Sequence, residues 1–324
     1  MRILRGFVLA ACCLLGIASG DGYGQAYPAK GVRIIVPFPA GGLTDILARE
    51  VAIQLQPRWG VSVIVENKAG ASGTIGSEQV VRAVGDPYVM LLTATHHVIN
   101  PGLRKTLPYD TKRDFTPLAL IGTAPNLLLV HPSFPAKTVA DLIRMAKNKP
   151  GSISFASTGI GGANHLGAEL FKVMAGVEMT HIPYKGEAPA LSDLIAGHVP
   201  VMFQGLSSSP ALISSGKVRA LGVTTLHRLA LLPDIPTIDE SGVKGFEVYS
   251  WFGLYGPAQL PGGAVAKISA DVNAVLRTSE IKARFAKDGA VDPGTLSQPE
   301  FARFVNDEID KWGRVIEHAK IPKE

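Results

Sequence analysis

Residues 32–45 read VRIIVPFPAGGLTD. A strand pattern at 32–38 runs into two prolines and then two glycines, and Thr44 or Asp45 stands at the cap of the next element. From there Ile46, Leu47, Val51 and Leu55 keep the 3.6-residue period of a helix over 44–56, which Pro57 and Gly60 are expected to stop. Strand, glycine turn and helix make the repeating unit of an α/β fold with mainly parallel sheets.

The same alternation continues outward. Strands are expected at 61–66 and 88–95, so that Thr95 and His96 mark the end of the third. A second cycle starts with a strand at 153–157 and a helix at 164–175. It goes on with a strand at 179–183, a helix at 191–196 and a strand at 201–204. Two extended segments join the cycles. One is 126–131, bracketed by Pro125 and Pro132; the other is the aromatic-rich 247–255. Beyond Pro257 the pattern is helical at 265–277, at 281–287 and from Gln298, with Ser297 and Glu300 spaced as a capping box, as are Thr138 and Asp141. The first cycle has too few helices to cover both faces of its sheet, so the C-terminal helices are expected to return to it. This predicts one lobe from 27–125 and 250–324, and a second from 126–249.

Three glycine turns carry the possible chemistry. Glycine lets a backbone approach a ligand, and the first N–H groups of a helix point outward without partners, so a strand-to-helix glycine turn suits an anion. The first turn is 38–45. The second, Ser157-Thr158-Gly159-Ile160-Gly161-Gly162-Ala163-Asn164-His165, repeats it in the second cycle, and the third is 70–76. Each also reads as an ordinary turn with a good cap. Two on opposite lobes would face each other across a cleft. Gly159 and Gly161 also begin a dinucleotide-like fingerprint with Glu178 at a ribose distance, but Asn164 stands where the third glycine belongs. An exported dehydrogenase is therefore the enzyme alternative. There is no Walker loop, no Gly-x-Ser-x-Gly and no His-Glu-x-x-His. His96 and His97 are adjacent and would diverge in extended chain.

Arg2 and Arg5, an uncharged apolar run over 6–19, and small residues to Ala26 have the layout of a secretory signal peptide over 1–26, cut before Tyr27. Leu9-Ala10-Ala11-Cys12 offers a lipoprotein box as the alternative. Both cysteines, Cys12 and Cys13, fall in the part to be removed, so the exported chain is expected to carry no disulfide or thiol chemistry. Removing Arg2, Arg5 and Asp21 lowers the formal charge from +5 to +4. The remaining Lys and Arg are scattered, which argues against nucleic acid as a partner.

Six blocks, VRIIVPFPAGGLTD, VIVENKAGASGTIG, LPYDTKRDFTPLALIG, HIPYKGEAPALSDLIAGHV, LPDIPTIDESG and SWFGLYGPA, resemble the solute receptors of tripartite tricarboxylate transporters, the Bug receptors. The resemblance runs from about Tyr27 to the C-terminus. It implies a type II periplasmic-binding-protein fold, α/β, with two lobes, two crossing strands and a cleft that grips a ligand carboxylate between two loops. Carried onto this chain, the ligand set is Phe38, Ala40, Gly41, Gly42, Thr44 and Asp45 with Thr95 and His96 in the first lobe. In the second it is Ser157, Thr158, Gly159, Ile160, Gly161 and His165, with Tyr184 and Gln204 at strand ends. The family usually has Pro at 40, a small polar residue at 43 and Asp at 204, where this chain has Ala40, Leu43 and Gln204. Loss of the Asp charge and gain of Leu43 predict a carboxylate without an amino group. The resemblance further implies a monomeric periplasmic receptor without cofactor, metal or catalysis, which delivers a small organic carboxylate to membrane permease subunits. An orphan receptor that presents its ligand to a membrane sensor is the alternative.

Overall fold

The structure, a computed structural model, describes residues 27–289 and 291–323. The expected leader, its cleavage point and Cys12 lie outside the described residues. Elements run in the order β1 (Val32–Val36), α1 (Leu43–Trp59), β2 (Val63–Asn67), α2 (Thr74–Val81), β3 (Val89–Ala94), α3 (His96–Leu103) and β4 (Phe115–Val130). Then come α4 (Val139–Asn148), β5 (Ser154–Ser157), α5 (Ala163–Ala175), β6 (Thr180–Pro183), α6 (Glu187–Ala196), β7 (Val201–Gly205), α7 (Pro210–Ser214) and β8 (Arg219–Val223). The chain closes with β9 (Tyr249–Pro257), α8 (Gly262–Leu276), α9 (Ser279–Gly289), β10 (Asp292–Pro293) and α10 (Gln298–His318).

The strands lie in the order β2-β1-β3-β9-β4-β7-β5-β6. β1 pairs in parallel with β2 and β3, and β5 pairs in parallel with β6 and β7, as the two βα cycles require. The antiparallel strands β4 and β9 stand between these two parallel groups. From Phe115 to Pro125, β4 pairs with β9; from Asn126 to Val130 its partners are β7 and β8. One strand thus belongs to both groups, and the change of partner falls at Pro125, which has no N–H to donate to a ladder. Pro117 sits at a second irregularity, where the β4–β9 register slips.

Side chains alternate across this sheet, so its two faces can be compared. On one face the core is continuous: Ile35, Leu91 and Leu120 join Leu128, Phe155 and Phe203 under α3, α5 and α10. On the other face it is split. Ile34, Val36, Leu92 and Ile121 pack with Leu47, Val51 and Ile268, whereas Leu127, Leu129, Met202 and Val223 pack separately with Leu194. A continuous backing and an interrupted front leave a seam along the front.

Several elements differ from the sequence reading. Pro57 lies inside α1 and does not end it; the chain turns only at Gly60, whose φ of 67° and N–H to Gln56 O close the helix. The final turn is held by Trp59, whose indole donates to Asp271 Oδ2 at 2.6 Å. β4 begins at Phe115, well before the expected 126, because its first half is buried under α8 and α10 and not in a loop. α2 and α3 were not expected. β3 ends at Ala94, and His96 and His97 open α3, not an extended chain. α6 starts at Glu187, four residues before the expected 191. The capping boxes at Thr138 and Ser297 form as spaced: Asp141 and Glu300 accept the N–H groups of Thr138 and Ser297 at 3.1 and 2.8 Å.

Candidate ligand-binding cleft

The two glycine turns are built alike. Gly41 and Gly161 both take a positive φ, 82° and 76°. Gly42 and Gly162 then cap α1 and α5 with nearly the same extended backbone, φ/ψ of −76°/161° and −72°/160°. In each turn the N–H of the first glycine is passed to the side chain four residues on. Gly41 donates to Asp45 Oδ2 at 2.9 Å, and Gly161 donates to His165 Nδ1 at 3.1 Å. The next helical bonds are Ile46 N–H to Gly42 O and Leu166 N–H to Gly162 O. The N–H groups of residues 43–45 and 163–165 therefore have no acceptor among the described residues.

The side chains that form these turns are occupied in doing so. Asp45 is 3% exposed. Burial would push its carboxyl up, but Arg49, the Gly41 N–H and the Asn67 amide outweigh this and hold it below the usual carboxylate range. His165 accepts at Nδ1, so its proton is on Nε2, toward Glu169 Oε1 at 3.8 Å. Burial first, then the stacked His181 ring 3.9 Å away and Lys172, lower its pKa to about 3. The ring is neutral at any ordinary pH.

Around the seam lies a cavity of about 290 Å³, lined on one side by Leu43, Ala124 and Phe252 and on the other by Thr158, Asn164, Glu187, Gln204 and Leu206. Asn126 and Ser250, on β4 and β9, also line it. Leu43 opens α1 and Asn164 lies in the first turn of α5, so both glycine turns reach the same space.

Of the residues expected at a ligand, Thr158 and Gln204 line this cavity. Phe38, Ala40, Gly41, Gly42 and Thr44 stay in the first turn without lining it. Phe38 packs against His96 at 5.5 Å, and its carbonyl accepts from Asn67. Thr95 is buried and its hydroxyl bonds the backbone of Trp251, tying β3 to β9. Burial lowers the pKa of His96, and its Nδ1 has no partner among the described residues. Ser157 is fully buried, bridging Gly159 and His181 Nε2. Gly159, Ile160 and Gly161 shape the second turn, and Tyr184 aims its hydroxyl at Asp193 Oδ2, 2.7 Å away.

Glu187, Asn126, Phe252 and Ser250 were not expected. Glu187 comes directly after Gly186 and is the first residue of α6, a place where an acidic side chain usually reads as a solvated cap. It accepts a bond from Gln204 Nε2 at 2.5 Å. The uncharged far end expected from Gln204 is thus not what the cleft has: Glu187 supplies a carboxylate beside it.

A family model described as "Tripartite tricarboxylate transporter family receptor" matches residues 47–321. Among solved structures, "R. palustris Rpa4515 with adipate" is 37% identical with a TM-score of 0.77, and covers 92% of this chain and 100% of its own. "Structure of periplasmic binding protein BugD" is 36% identical with a TM-score of 0.74 over the same shares. "MatC (Rpa3494) from Rhodopseudomonas palustris with bound malate" is 30% identical with a TM-score of 0.72, over 90% of this chain and 100% of its own. The fold is that of periplasmic binding proteins, and the chain belongs to the tripartite tricarboxylate transporter receptor family of solute-binding receptors.

Proposed function

We propose that this protein is a periplasmic receptor that closes on a small organic carboxylate in the seam cavity and delivers it to the permease of a tripartite tricarboxylate transporter. The lobes in this reading are 27–125 with 250–324, and 126–249, hinged where β4 changes partners. The observation that carries the reading is the pair of matching glycine turns. Two helices open at one cavity, each with three N–H groups that have no acceptor among the described residues, and two helix dipoles add a positive potential at the same place. The first glycine N–H of each turn is spent on holding the turn, so the grip falls to the next residues and to the Thr158 hydroxyl. The side chains of Phe38, Ala40, Asp45, Thr95, Ser157, His165 and Tyr184 hold the turns and strand ends behind the cavity in this reading and do not touch the ligand. That neighbours in the family are described with adipate and malate supports a carboxylate as the solute.

Titration calorimetry with adipate and malate, set against their dimethyl esters, tests this. The acids are expected to bind and the esters not. Thr158→Val keeps the shape but removes one charge-assisted hydrogen bond, which is expected to weaken acid binding by about 1.5–3 kcal/mol. Equal affinity for acid and ester, or an unchanged Thr158→Val protein, would sink the assignment. Delivery is tested by transport in cells with and without the permease genes.

A further inference from the structure

Two lining groups, the Asn126 amide and the Glu187 carboxylate, make opposite demands on a ligand. Asn126 is 2% exposed, and its Nδ2 has no hydrogen-bond partner among the described residues. Its backbone is locked at the point where β4 changes partners: its N–H goes to Thr224 Oγ1 at 3.1 Å, and its carbonyl accepts from the Thr224 hydroxyl at 2.9 Å. The side chain cannot easily turn away to find an acceptor. A buried amide donor left unpaired is costly, so such groups are normally satisfied by protein, water or ligand.

Glu187, on the same cavity, makes the reverse demand. Among the described residues it has one hydrogen bond, from Gln204, and no cationic partner. Gln204 itself is 1% exposed, so it fixes the Glu187 carboxylate at the wall. A fixed carboxylate without a counter-ion attracts a cation and repels a second anion when the lobes close and water leaves. The apolar residues Leu43, Ala124 and Phe252 lie on the other wall, where a methylene chain would pack.

We infer that the ligand is zwitterionic: a small amino-carboxylate with a carboxylate oxygen on the Asn126 amide and its ammonium against Glu187. This rests on the reading of the cleft as a carboxylate site and narrows it. A simple dicarboxylate would bring a second negative charge to Glu187, and a neutral-bodied acid would leave it unpaired. The cavity, about 290 Å³, is at the small end of ligand pockets, which fits a metabolite of amino-acid size.

Matched pairs test this: 4-aminobutanoate against butanedioate, 6-aminohexanoate against adipate, and glutamate against glutarate, measured by calorimetry on the full exported chain. The amino member of at least one pair is expected to bind at least about tenfold tighter than its diacid. Glu187→Gln, an exposed position that leaves folding intact, is expected to erase that preference and to strengthen the diacid. Asn126→Ala, with its fold checked by circular dichroism, is expected to weaken both members of a pair alike, because it acts at the shared carboxylate. Diacids that bind wild type as tightly as the amines, or a Glu187→Gln change equal for both members, would overturn the zwitterion assignment and leave the carboxylate reading standing. If no acid in the panel binds, both fail together.

Discussion

Gly41 and Gly161 give their N–H groups to different side chains for the same end. Asp45 does it as an anion balanced by Arg49, whereas His165 does it as a neutral ring. The second solution depends on pH. With a folded pKa of about 3 against an ordinary 6.5, His165 takes up its proton only in the unfolded chain between those values. The unfolded state then binds more protons, so stability is fully present above about pH 6.5 and falls as the pH drops toward 3. This one residue is expected to cost about 1.4 kcal/mol per pH unit below 6. Thermal melts of wild type and His165→Asn between pH 7 and 4.5 check it: the variant should show the shallower acid slope, and parallel slopes would remove His165 from the cause. Much at this scale was legible in the sequence. The glycine turns stood out because only glycine readily takes the positive φ that Gly41 and Gly161 adopt. Which side chains line the cavity was not legible, since Ser157 and Tyr184 sit at suitable strand ends yet bond to His181 and Asp193.

Among the helices, α10 spans the two groups of strands, packing on α3, β4 and α5. Its sequence announced a helix by period and cap, but nothing local told where it would dock. The dock is Glu308, 8% exposed, whose Oε2 accepts the indole N–H of Trp251 on β9 at 3.1 Å and that of Trp312 at 2.9 Å. Lys311 completes the carboxylate at Oε1, 3.0 Å away. A buried charge is tolerated when it is paired and fully bonded, and removing it strands its partners. Glu308→Ala leaves two buried indole N–H groups without their acceptor and takes from Lys311 its charged partner, leaving it the Glu247 carbonyl. It is expected to destabilise the protein by roughly 3–5 kcal/mol in urea titration. A loss below about 1 kcal/mol would mean that solvent reaches the site and that α10 is held by its apolar face alone. The same long-range logic explains the missed length of β4. A 16-residue strand with two prolines is not a local pattern, and it exists because β9 covers one half and β7 with β8 the other.

For the whole molecule, closure as proposed would bend the front seam about the continuous packed backing. In the proposed two-lobe reading the lobes touch where Gly161 meets α3: a Cβ on Gly161 would lie 2.0 Å from Leu103 Cδ1, whereas one on Gly41 would meet nothing within 4 Å. The two glycines share a positive φ, so an alanine costs each about the same backbone strain, of the order of 1 kcal/mol. They differ in what the methyl strikes. Gly161→Ala has to push Leu103 or part the lobes, and it should weaken carboxylate binding and enlarge the radius of gyration seen by X-ray scattering with ligand present. Gly41→Ala carries the strain without the collision and should keep the closed dimensions. Leu103→Ala in the Gly161→Ala background removes the struck methyl and should restore closure, though not the strain. If the double variant binds no better than Gly161→Ala alone, the loss arises from the turn itself, and Gly161 is a ligand-side glycine without a part in how the lobes meet.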